Sequence, residues 1–143
     1  MRATAELAWL IDDLVSRTPF AERAVVLSAD GLLMASSTGL PRPEAEQLSA
    51  VAASLFGLSR GAAKRFGKGS VRQAIVEMSG GYLFVAAGGA GACVALIAGS
   101  DADVGLIAYE MAMLVTRVGD YLSAPARTPA DCTSGGPRSL AVE

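Results

Sequence analysis

Residues 80–100, GGYLFVAAGGAGACVALIAGS, contain no ionisable side chain that is charged at neutral pH, and the nearest ionised neighbours are Glu77 and Asp101. Three structures compete for such a stretch: a membrane span, a phosphate-binding glycine loop, or two core strands folded back on each other. A span is disfavoured by six glycines, three of them in the central GGAG, and by acidic flanks where lysine, arginine or aromatic anchors belong. A dinucleotide loop needs G-x-G-x-x-G between a strand and a helix. Gly89 and Gly91 supply two of those glycines, but Val94 occupies the third position and a β-prone run follows. Without a helix N-terminus there is no cluster of free amide donors for a pyrophosphate. The apolar residues instead form two blocks of strand length, YLFVAA (82–87) and ACVALIA (92–98), joined by a glycine turn. The stretch reads as a hairpin of core strands.

Upstream, VRQAIVEM (71–78) alternates polar and apolar residues and is separated from the hairpin by Ser79-Gly80-Gly81, which makes a three-strand antiparallel meander. ERAVVLSADGLLMASS (22–37) places two β-prone runs around Asp30-Gly31, a pair suited to the positive backbone angles of a tight turn. Asp30 has no second carboxylate nearby in sequence, so the turn outweighs a metal or acid role. Residues 4–17 are helical by the spacing of Leu7, Leu10, Ile11 and Leu14. Trp9 falls almost opposite that stripe. It lies either over a loop of its own subunit or against a partner, since tryptophan is enriched at interface hot spots.

Pro41 and Pro43 open a long helix to about Arg65. Leu48, Val51, Ala52, Leu55 and Leu58 form its expected sheet-facing side. Ser49, Ala53, Gly57 and Gly61 make a second row of small side chains. Each glycine costs about 1 kcal/mol against alanine inside a helix, so the row points to close packing, against the sheet or against a second copy of the same helix. The second copy is preferred, because Leu48 to Leu58 already supplies a face for the sheet. A last helix, about Asp103 to Tyr121, is expected to start with a capping box of Ser100 and Asp103 and to bury Val104, Ile107, Ala108, Met111, Leu114, Val115 and Val118. From Ser123 onward, SAPARTPADCTSGGPRSLAVE has the composition of a flexible tail. The organisation is one domain over 1–122 and a tail over 123–143.

Composition narrows the function. Over 143 residues, 52% apolar and 18% charged, a packed core is expected; the net charge of −2 argues against nucleic acid. The chain has no histidine, which removes Ser-His-Asp and Cys-His catalysis and the commonest metal ligand. Cys93 in an apolar run and Cys132 in the tail give no disulfide framework and fit a reducing cytoplasm. The N-terminus MRATAELAWLIDDL carries acids where a signal peptide is apolar. AAKRFGKGS (62–70) mimics a Walker A loop, but Ala62 and Gly69 stand where a glycine and a Ser or Thr are required, and a helix leads into a strand. No cofactor or metal site is expected. Between Glu46 and Glu77 all charged residues are basic: Arg60, Lys64, Arg65, Lys68 and Arg72. They either complement a helix C-terminus or form a docking patch for an acidic surface.

The order helix, two strands, helix, three strands, helix, with SADGLLMASS, RQAIVEMSGGYLFV and DADVGLIAYEM, resembles the roadblock (dynein light-chain type, profilin-like) family over about residues 5–122. The likeness is to bacterial members of conservon-type operons, encoded beside small Ras-like GTPases. It implies an α+β fold with a five-stranded antiparallel sheet, the first and last helices on one face and the long helix on the other. It also implies a homodimer joined through edge strands and long helices, which puts Val71, Gln73 and Ile75 on the edge and Ser49, Ala53, Gly57 and Gly61 on the helix contact. The implied role is cytoplasmic scaffolding or regulation of a Ras-like GTPase, beside a sensor-kinase-like protein, without membrane insertion. Some members accelerate GTP hydrolysis by repositioning the GTPase's own residues, so a GTPase-activating role and a purely structural dimerisation role are the alternatives. Trp9 and the basic cluster Arg60, Lys64, Arg65, Lys68 and Arg72 are the candidate partner contacts, and no catalytic residue carries over.

Overall fold

A computed structural model describes residues 2–88 and 91–123. The elements are α1 (Arg2–Arg17), β1 (Ala21–Ser28), β2 (Leu33–Ser36), α2 (Arg42–Arg65), β3 (Gln73–Met78), β4 (Gly81–Ala87), β5 (Ala92–Gly99) and α3 (Val104–Ser123). The five strands form one antiparallel sheet in the order β2-β1-β5-β4-β3. The charge-free stretch is the β4–β5 hairpin, paired from Gly81↔Gly99 to Ala87↔Cys93. Both strands are apolar along their whole length because helices cover both faces of the sheet's centre. Ala24, Val26, Phe84, Ala86, Val94 and Leu96 point to α1 and α3, while Val25, Leu27, Leu83, Val85, Cys93 and Ala95 point to α2. Among the described residues, no helix is long and apolar enough to cross a membrane.

The turns correct two expectations. The β1–β2 turn has one positive φ, at Gly31 (91°), and not two. Gly31 N–H donates to Ser28 O and Ser28 N–H to Leu32 O, which makes a longer, bulged loop in which only the glycine needs the left-handed region. Ser28 Oγ donates to the Asp30 carboxylate, so Asp30 serves the turn. At α3 the N-cap is Asp103 itself, whose Oδ1 accepts the Leu106 N–H at 3.1 Å. The helix begins at Val104, and Asp103 therefore does not stand at the third helical position of a box with Ser100.

The GKG of the Walker-like sequence is a helix stop. Gly67 adopts φ 66° after α2, Lys68 N–H reaches back to Ala63 O, and Gly67 N–H to Lys64 O at a longer 3.4 Å. That is a Schellman-type closure, which needs glycine and leaves the lysine in solvent.

Asp12 ties α1 to the end of β2. Its two carboxylate oxygens accept the Thr38 N–H and the Thr38 hydroxyl, both at 2.7 Å. Asp12→Ala is expected to cost about 1–2 kcal/mol, since it removes two charge-assisted bonds at a half-covered site. A urea unfolding midpoint lowered at constant slope checks this. The proposed tail of residues 123–143 lies, beyond Ser123, outside the described residues, as does Cys132.

Candidate interaction surface

α2 lies across the sheet on the side of Ala45, Ser49, Ala52 and Phe56, all buried. Val51 is 48% exposed and Leu58 76% exposed, so these two expected sheet contacts point away from the core. Leu48 and Leu55 are half-buried against it. The physical reason is size. Ala45, Ser49 and Ala52 are small side chains on the sheet side of α2, and one large ring, Phe56, is buried beside them in the same cluster. Size and hydrophobicity favour the leucines as the inward face, but the buried positions are mostly small residues.

The Ser49, Ala53, Gly57, Gly61 row is split by helix geometry. Four residues advance about 400°, so each step drifts about 40° around the axis. Ser49 is fully buried, with its Oγ donating to Ala45 O at 3.0 Å, and is closed off inside its own chain. Ala53 is half-buried, close to where a Cβ on Gly31 would lie (3.3 Å). Gly57 is half-exposed and Gly61 exposed. A side chain at Gly57 would meet nothing nearer than Arg60 Nη2 at 3.9 Å, and one at Gly61 nothing within 4 Å. Neither glycine is required by the chain's own packing. Between Leu48 and Ala63 the exposed residues of α2 are Ala50, Val51, Ser54, Leu58, Gly61 and Ala62, apolar or small, together with Arg60, and charged residues lie exposed towards both ends of the helix.

β3 is an edge strand, paired only with β4 among the described residues. Its residues Ile75 and Met78 are each 44% exposed. Gln73 opens the strand, and its Nε2 donates to Ala108 O of α3 at 2.7 Å. Val71 does not belong to the strand, which begins two residues later. It is half-buried against the α2 side of the core.

The basic residues are divided between surfaces. Arg60 sits with its guanidinium carbon 5.6 Å from the centre of the Phe56 ring. Arg60 and Lys64 line a cavity on the α2 side, whereas Arg72 lines one against α3. Arg65 and Lys68 are exposed at the end of α2. Trp9 is 61% exposed, so no loop among the described residues covers it. Sequence reasoning missed a third apolar ridge, Leu106, Tyr109 and Met113 on α3. Their spacing of three and four was a signal, but it was masked by the fully apolar face beside it. Near this ridge Glu110 accepts from Arg17, which also bonds Asp13. Those bonds, Asp13 first, raise the Arg17 pKa. Burial pushes the Cys93 thiol up, against a smaller opposing pull from Arg60. Among the described residues, no three His, Cys, Asp or Glu side chains are grouped to hold a metal.

This architecture is an α+β domain, a five-stranded antiparallel sheet with α1 and α3 on one face and α2 on the other. Residues 7–98 match the family model of the Roadblock/LC7 domain, and the chain belongs to that family. A solved Roadblock/LC7 domain from Streptomyces avermitilis is 45% identical, with a TM-score of 0.76, covering 80% of this chain and 96% of that one. Two more distant structures share the fold: Myxococcus xanthus MglB at 14% identity (TM-score 0.77, 88% and 94% covered) and Acanthamoeba castellanii profilin IB at 17% (TM-score 0.52, 81% and 95% covered). No curated protein matches the chain by sequence.

Proposed function

We propose that this chain is a homodimeric regulatory scaffold that binds a small Ras-like GTPase in a cytoplasmic bacterial signalling complex, with a sensor-kinase-like protein as a further partner. The observation that carries the reading is the outward face of α2. Val51 and Leu58 stand exposed on it beside two mid-helix glycines for which the single chain has no use. An apolar, small-residue surface of this kind is the ordinary mark of a protein contact. The β3 edge, with Ile75 and Met78 exposed, continues the same reading, because pairing with a second copy covers strand groups that otherwise invite aggregation. In this proposal Gly57, Gly61, Val51 and Leu58 form the helix half of the dimer contact, with Ala53 at its margin, and Gln73 and Ile75 mark the edge. Residues 1–122 act as the domain and 123–143 as a tail. MglB is itself described in a tetrameric arrangement, which supports self-association within this fold.

The test is capture of the small Ras-like GTPase encoded beside this chain, loaded with GDP or with a non-hydrolysable GTP analogue. Binding in at least one state is the expected result, and none in either removes the GTPase reading. Single-turnover GTP hydrolysis at saturating dimer then separates scaffolding from activation. A rate raised several orders of magnitude is the size expected when transition-state charge is stabilised. An unchanged rate leaves the scaffold.

A further inference from the structure

Beneath the C-terminal half of α2 lies a cavity of about 480 Å³, open on one side, within the roughly 300–1,000 Å³ of small-molecule sites. Phe56, Val71, Ala87 and Cys93 give it apolar walls, and Arg60 and Lys64 line it from successive turns of α2. Neither cation has a carboxylate partner among the described residues. The ion pairs there are Arg17 with Asp13 and Glu110, Arg23 with Glu44, and Arg42 with Glu46. Arg60 is held over the Phe56 ring, so one residue of the wall also positions the charge. Cys93 is a neutral wall group there, since burial disfavours its thiolate.

Two chemistries meet in this cavity. Arg60 and Lys64 are solvent-exposed cations at its mouth, and the wall behind them is apolar. A guest with an anionic head and an apolar body matches both. We propose that the cavity binds a single-chain anionic amphiphile, its carboxylate or phosphate head on Arg60 and Lys64 and its alkyl chain against Phe56, Val71 and Cys93. The site is separate from the outward face of α2 and does not depend on the GTPase reading.

The experiment titrates the full chain with decanoate, decyl phosphate, decanol and inorganic phosphate, by calorimetry. At least one of the two amphiphilic anions is expected to bind one to one, and the one that binds more tightly identifies the headgroup source. Decanol and inorganic phosphate are each expected to bind at least tenfold more weakly. Arg60→Gln with Lys64→Gln is expected to weaken the amphiphile by roughly tenfold or more, the size of a lost charge-assisted contact. Ala87→Phe, which fills the cavity, is expected to do the same. In the unaltered chain, intermolecular nuclear Overhauser contacts from the alkyl chain to Phe56 and Val71 are expected, a readout that does not require either cavity variant to fold. Absence of binding by both amphiphiles, inorganic phosphate binding as tightly as the amphiphiles, affinity unchanged in both variants, or no alkyl contact to Phe56 or Val71 would each overturn the proposal.

Discussion

Leu58→Asp is expected to give a folded monomer. Leu58 is among the most exposed large apolar side chains of the chain, so placing a carboxylate there removes no core contact and leaves the isolated fold intact. In a two-fold dimer the substitution occurs twice across one contact. If each copy loses about 2 kcal/mol, as at an ordinary hot spot, the dissociation constant rises roughly a thousandfold. Sedimentation should then report one chain's mass with an unchanged far-UV circular dichroism spectrum. Gly57→Leu supplies a check by sign. In a lone helix leucine is favoured over glycine by nearly 1 kcal/mol, and the new side chain meets only Arg60 Nη2 at 3.9 Å, so a monomer should become more stable. In a dimer the same leucine wedges the close approach and lowers both affinity and melting temperature. A Leu58→Asp protein that still sediments as a dimer, or a Gly57→Leu protein that melts higher, would show that α2 is not the contact.

The element order was legible because each segment carries its own periodicity and its own stop. The charge-free hairpin is the clearest case. Glycine placement and acidic flanks disfavour the span, Val94 and the β-prone run after it disfavour the phosphate loop, and the apolar blocks are β4 and β5. The facing of α2 was less legible. Hydrophobicity ranks Leu58 and Val51 above Ala45 and Ser49, whereas packing distance reverses the order, and only the strands beneath reveal the distance. Ser49 looks partner-facing in the sequence for a related reason. A four-residue row looks straight in sequence but winds around the helix, so its first member lies under the sheet and its last in solvent. Val71 fits the alternation of β3 because it is apolar at an even spacing, but the strand begins at Gln73, and burial beside the core accounts for Val71 equally well. Arg60 and Lys64 were seen as charge alone. Their role as cavity lining needs Phe56, Ala87 and Cys93, which lie 4 to 33 residues away in sequence.

Gly81→Ala is expected to be the most damaging single-methyl change among the described glycines. An alanine Cβ at that position would lie 2.2 Å from the backbone oxygen of Ala98 and 3.3 Å from its carbonyl carbon, on the strand paired alongside. No side chain can rotate away to relieve that contact. The β4–β5 ladder must part at its Gly81↔Gly99 end, and Met78, which pairs with Gly81 from β3, moves with it. A cost of about 3–4 kcal/mol follows, at the upper end of overpacking effects. For a domain of this size that lowers the melting temperature by roughly 10–15 °C. Gly80→Ala is the matched control, because a Cβ there meets nothing within 4 Å and the change is expected to stay within about 0.5 kcal/mol. If both variants melt together, the close approach of β4 to β5 is wrong. If Gly81→Ala alone falls, its self-association should weaken too, because the β3 edge offered to a second copy is held in place through that same corner of the sheet.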